Sequence, residues 1–91
     1  MSEEHGFAGF ASVYEQMVDW DRRLARELPF YRRLFEEHSV ERVLDVACGV
    51  GRHSVAFARW GLSVTALDAE KDMIERARRH AENVGVDVEF I

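Results

Sequence analysis

The chain has 91 residues, a formal net charge of −5, 47% hydrophobic and 32% charged residues, and a single cysteine. That length holds one small domain with a modest core, burying about 60–65% of its unfolded surface. The composition excludes a disordered chain and an internal disulfide framework, and no apolar run reaches the ~18 residues of a membrane span.

The N-terminal stretch Met1-Ser2-Glu3-Glu4-His5 is acidic and leads into no apolar h-region, so the sequence reads as having no secretory signal. Phe7, Phe10, Tyr14, Met17 and Val18 then recur at helical spacing and predict an amphipathic helix over about residues 7–20. A second helical stretch carries Leu24 and Leu28. Pro29 is expected to interrupt or restart it, after which Phe30, Tyr31, Leu34 and Phe35 continue an apolar stripe to about Glu37. His38-Ser39-Val40 connects to the next element.

Residues 41–68 carry the chemistry. The apolar run Val43-Leu44-Asp45-Val46-Ala47 has the length and β-branched content of a strand. The turn Cys48-Gly49-Val50-Gly51 follows, where glycines permit positive φ and leave no Cβ in the way of a ligand. A helix is predicted over 52–60, stopped by Gly61, and a second strand over 62–67 delivers Asp68 at its carboxyl end. That acid lies 19 residues beyond Gly49, the spacing of a carboxylate that holds a ribose. The unit is a nucleoside-cofactor site.

A long helix is predicted over 70–84, with Met73, Ile74, Ala77, Ala81 and Val84 on its buried face and Gly85 at its end. Residues 86–91 alternate apolar and acidic and predict a third strand with one wet face. Arg76, Arg78 and Arg79 read as the solvated face of that helix, so no nucleic-acid surface and no membrane partner is expected. Cys48 and the four histidines lack metal-ligand spacing. The expected fold is α/β: helices, then β-α-β-α-β, with strand order 3-2-1. Residues 1–40 form a helical cover and 41–91 an incomplete cofactor-binding half domain. Strand 1 would then carry a bare outer edge, which natural sheets avoid. The chain is therefore expected to be a fragment, or to associate through that edge, and to reside in the cytoplasm.

Two cofactor classes suit such a unit. A dinucleotide site wants G-x-G-x-x-G/A, whereas Ser54 stands in the third place here. Asp45, inside the first strand, would repel a pyrophosphate, and S-adenosylmethionine, which has an ammonium, a sulfonium and no phosphate, fits better. No Gly-Lys-Ser/Thr follows the turn, so a P-loop is excluded. The remaining readings are an NAD-type domain and an inactive truncated chain acting as a partner module.

The run from Val43 to Gly51 resembles motif I of class I S-adenosylmethionine-dependent methyltransferases, in particular the glycine/sarcosine N-methyltransferase-like group with its Leu-Asp-Val-Ala-Cys-Gly. Ser63-Val64-Thr65-Ala66-Leu67-Asp68, with Met73 five residues later, resembles the family's following strand and acid. The resemblance implies a methyl transfer to a small-molecule acceptor. By it, Ala47, Gly49 and Gly51 line the methionine and ribose through their backbone, Asp68 accepts the ribose hydroxyls, and Met73 and Ala69 lie near adenine. Arg23, 22 residues before Asp45, corresponds to an arginine for the cofactor carboxylate; Asp45 anchors the turn or touches the ligand, and Tyr14 and Trp20 belong to the N-terminal cover. Ala47 replaces the usual first glycine, Ala69-Glu70 replaces the usual serine after the acid, and the sequence ends at Ile91, before the family's adenine-contacting turn. No catalytic residue is assigned, and His53 and Cys48 read as structural.

Overall fold

The structure, a computed structural model, describes residues 19–91. The helix expected over 7–20, with Tyr14 and Met17, lies outside the described residues apart from its end. Helix α1 spans Trp20–Glu37, followed by β1 (Arg42–Val46), α2 (Arg52–Arg59), β2 (Ser63–Leu67), α3 (Lys71–Val84) and β3 (Glu89–Phe90).

α1 starts at Asp19, whose carboxylate accepts from the Arg22 amide at 3.2 Å, a side-chain N-cap. It then runs unbroken through Pro29, contrary to the expected interruption. Proline removes one bond, to the carbonyl of Ala25, but both residues are exposed, so water can take up that carbonyl. The aromatic contacts of Tyr31 and Phe35 with Phe57 hold the C-terminal half of the helix in line. Phe30 and Leu34, expected in the buried stripe, are exposed; the half-buried line is Trp20, Arg23, Leu24, Glu27, Leu28, Tyr31 and Phe35.

The sheet is fully parallel. β1 pairs with β2 from Arg42↔Ser63 to Val46↔Leu67, and β2 with β3 at Thr65↔Glu89 and Ala66↔Phe90. The order is β1-β2-β3 where 3-2-1 was expected; β2 is central in both, and the two orders differ in the edge from which they are counted. β3 is shorter than its alternating pattern predicts. The Val86 amide donates to Ala81 O at 3.1 Å, closing the end of α3, so the chain joins the sheet only after that cap. Its alternation is nonetheless real: Val86, Val88 and Phe90 are half-buried while Asp87 and Glu89 are exposed.

α2 packs on β2 and touches both α1 and α3, so the helices gather on one face. Register puts Val43, Asp45, Val64 and Ala66 on that face. The core is Val50, Val55, Phe57, Val64, Ala66, Met73, Ile74, Ala77 and Ala81, and Val84, expected in it, is exposed. The opposite face of β1 is open: Leu44 and Val46 are 62% and 63% exposed. Two successive crossovers of the same hand lay both connecting helices on one side, so among the described residues the other face is uncovered.

Candidate functional site

The turn between β1 and α2 is built from backbone that bends the wrong way for most residues. Ala47, Gly49 and Gly51 have φ of 58°, 59° and 80°. The two glycines serve different ends. A Cβ on Gly49 would meet nothing within 4 Å, so open space lies over it, as a ligand's approach requires. A Cβ on Gly51 would fall 2.7 Å from the Ala77 Cβ, so this glycine lets α3 pack against the start of α2.

Two carboxylates hold the turn. Asp68, at the carboxyl end of β2, accepts from the Gly49 amide (2.9 Å to Oδ2) and from the Glu70 amide (2.8 Å to Oδ1). It does not cap α3, whose N-cap is Glu70. Asp45 accepts from the hydroxyl of Ser54, which is fully buried. An inward carboxylate at the end of a strand thus finds its partner on the next helix. Cys48 extends the sheet through its amide to Leu67 O (3.0 Å). Burial, aided by the nearby charges of Asp45 and Asp68, pushes its thiol up to about 12. It stays protonated and non-nucleophilic.

In front of the turn lies a cleft of about 340 Å³ between β1, α1 and α2. Of the residues singled out from the sequence, Arg23, Asp45, Ala47 and Gly49 line it, and so does Trp20. Gly51, Asp68, Ala69 and Met73 do not. Asp68 is bonded to the Gly49 amide, Ala69 is exposed, and Met73, only 7% exposed, packs with Val50 and Trp20.

The cleft also holds Glu27, which sequence reasoning passed over, and His53, which it read as structural. Glu27 Oε1 accepts from Arg23 Nε at 2.7 Å and stands 3.3 Å from His53 Nε2. The Arg23 hydrogen bond, helped by the charges of Arg23 and His53, holds the Glu27 carboxyl below its usual range against the opposing effect of burial. His53 is walled by Trp20, Tyr31 and Phe57, with ring centroids 5.9–6.2 Å away. A signal was available: Arg23, Glu27, Tyr31 and Phe35 recur every four residues, one ridge of a helix. Its mixture of charged and aromatic residues hid it from a search for apolar stripes.

Open space over Gly49, a carboxylate fixed beside its amide, a guanidinium across the cleft and no anion-binding lysine suit a nucleoside that carries an amino acid. Asp68 keeps acceptor capacity for hydroxyl donors after its two amide bonds, since an ionised carboxylate offers about four lone-pair sites.

Comparison with known proteins agrees with this geometry. Residues 43–91 match a family described as "Methyltransferase domain". The chain is 38% identical over 74 residues to a glycine/sarcosine N-methyltransferase of Parasynechococcus marenigrum, covering 81% of this chain and 26% of that protein. It is 33% identical over 91 residues to a ubiquinone biosynthesis O-methyltransferase of Rickettsia conorii, covering 97% of this chain and 30% of that protein. Among solved structures, the DhpI–SAH complex superposes with a TM-score of 0.65 at 30% identity, covering 97% of this chain and 41% of that one. The chain thus spans less than a third of the length of these two curated relatives, and the part it spans is the glycine turn with its flanking strands and helices. It belongs to the class I S-adenosylmethionine-dependent methyltransferases, of which it carries the N-terminal part.

Proposed function

We propose that this chain is the cofactor-binding portion of a cytoplasmic enzyme that moves a methyl group from S-adenosylmethionine to a small-molecule acceptor. The observation that carries the reading is the bond from the Gly49 amide to Asp68, which fixes a carboxylate beside a turn with open space above it. The relatives are named for N-methylation of glycine and sarcosine and for an O-methylation in ubiquinone biosynthesis. Their common denominator is a small acceptor with a nucleophilic nitrogen or oxygen.

In this reading residues 1–40 cover the site and residues 41–91 hold the cofactor. Asp68 accepts the ribose hydroxyls; Ala47 and Gly49 present backbone to the methionine and ribose; Gly51 supports them by letting α3 close behind the turn. Arg23 takes the methionine carboxylate, Asp45 anchors the turn through Ser54, and Met73 and Ala69 lie on the adenine side. When bound, the cofactor supplies an electrophilic methyl on sulfur. The residues of this chain then orient it and exclude water through the aromatic wall of Trp20, Tyr31 and Phe57, which suits a reaction that needs chiefly alignment in a dry site. Association, where it occurs, uses the uncovered edge and face of β1.

Calorimetric titration with S-adenosylhomocysteine beside NADH, with mass by light scattering, tests the reading. Saturable binding of S-adenosylhomocysteine alone is expected, and Asp68→Ala should weaken it by about tenfold or more, the loss of charge-assisted hydrogen bonds. Binding of NADH alone, or an Asp68→Ala variant with unchanged affinity, would overturn it.

A further inference from the structure

One carboxylate oxygen, Glu27 Oε1, serves two partners: Arg23 Nε at 2.7 Å and His53 Nε2 at 3.3 Å. The side chains of Arg23, Glu27 and His53 are 38%, 28% and 19% exposed, half-sheltered in the cleft that the turn faces. A guanidinium binds a carboxylate best as a fork of two parallel N–H donors. With Nε already donating to Glu27, a fork that includes Nε is blocked to any incoming carboxylate.

We infer that Glu27 is a resident competitor for the ligand carboxylate at Arg23, and that His53 decides how strongly it competes. A ligand carrying a carboxylate displaces Glu27 from the Nε of Arg23, and the freed carboxylate turns to the imbalance's other pole, the imidazole already beside it. An imidazolium receives it far better than a neutral imidazole, so binding draws a proton onto His53. Proton uptake on binding is thermodynamically the same fact as tighter binding at lower pH. The other titratable groups lining the cleft among the described residues do not supply this switch. Asp45 is engaged by Ser54, the Cys48 thiol is held protonated, and Tyr31 meets His53 edge-on through its ring.

This inference rests on the reading that Arg23 receives the cofactor's carboxylate, and the two can fail separately. S-adenosylhomocysteine and 5′-methylthioadenosine, which lacks the amino-acid portion, are titrated calorimetrically from about pH 8 to pH 6, the span in which imidazoles change charge, in buffers of different ionisation enthalpy. Expected for S-adenosylhomocysteine are affinity that rises as pH falls and net proton uptake. Glu27→Gln should bind it roughly fivefold more tightly at the upper pH, the scale of one half-exposed ion pair, with the pH dependence flattened. His53→Gln should abolish the uptake. 5′-Methylthioadenosine should respond to neither substitution. Arg23→Ala should weaken S-adenosylhomocysteine alone; if it does but Glu27→Gln brings no gain, the competitor role is wrong and the reading of Arg23 stands. An Arg23→Ala variant with unchanged affinity, or no binding by the unaltered protein, removes both. Should Glu27→Gln fail to fold, absence of proton uptake by the unaltered protein decides against the inference.

Discussion

The two walls of the cleft are held in different ways. The glycine turn is tied by bonds between neighbouring segments: Gly49 to Asp68, Ser54 to Asp45, Cys48 to Leu67. Its shape is specified by backbone conformation and by small residues that permit it. The α1 wall is attached differently. It leans on α2 through ring contacts, Phe35 with Phe57 at 5.0 Å and Tyr31 with Phe57 at 5.5 Å, and through the Glu27–His53 pair. Hydrogen-bonded turns tolerate little change in geometry, whereas a wall attached by side-chain packing can shift as a unit without disturbing the sheet. In the proposed function the rigid wall serves the ribose, and the adjustable one carries Arg23, which is proposed to exchange partners.

Substitutions that separate the two walls sharpen this contrast. Gly51→Ala should have the largest effect, because its Cβ would lie 2.7 Å from that of Ala77 at a φ of 80°. Overpacking and left-handed strain together predict a loss of about 3 kcal/mol, read as a lowered thermal midpoint of the whole molecule. Phe35→Ala should cost less, about 2 kcal/mol for a half-buried ring, and its signature should be local. Hydrogen exchange should speed up along α1 while β1 and β2 keep their protection; uniform acceleration would show that the two walls form one cooperative unit.

The alkaline limb tests the turn itself. The Cys48 thiol ionises at about 12 in the folded chain against a reference of 9.0. Between those values the unfolded chain has lost a proton that the folded one keeps, so stability falls as pH rises from about 9 towards 12. Thermal midpoints of Cys48→Ala should show a shallower alkaline decline than the unaltered chain, and parallel curves would refute the assignment. The smallest effect expected is a gain. Ala47 sits at a φ of 58°, where an L side chain costs about 1–2 kcal/mol, while glycine adds about 0.4–1 kcal/mol of unfolded-state entropy. Ala47→Gly should therefore stabilise by roughly 0.5 kcal/mol in denaturant unfolding. A loss would mean that the methyl group makes a contact worth more than the strain.

The legible and illegible parts of the sequence divide along the same line as the two walls. The strand Val43-Leu44-Asp45-Val46, the glycine turn and the acid 19 residues on are local patterns whose partners are set by a short β-α-β loop, so their geometry followed from spacing. α1 was harder. Its periodicity marks a helix, yet Pro29 predicts an interruption or restart that the fold does not show, because the hydration of an exposed carbonyl depends on which way that turn faces. Hydrophobicity places Phe30 and Leu34 on the apolar stripe, yet the line that does face inward carries Arg23 and Glu27. Each has the other as a partner, and Glu27 has His53 from a different helix, which offsets the cost of their partial burial.

From the sequence alone came the element order, the site-forming turn and the identity of its carboxylates, because these are dictated by backbone sterics and short-range spacing. The tertiary structure decided the rest. It showed that Gly49 faces open space while Gly51 serves packing, that Asp68 is bonded to the Gly49 amide, and that one oxygen of Glu27 is shared between Arg23 and His53. The Gly51–Ala77 approach and the Glu27–His53 pair each join residues 26 positions apart through the packing of separate elements, and no local pattern encodes them.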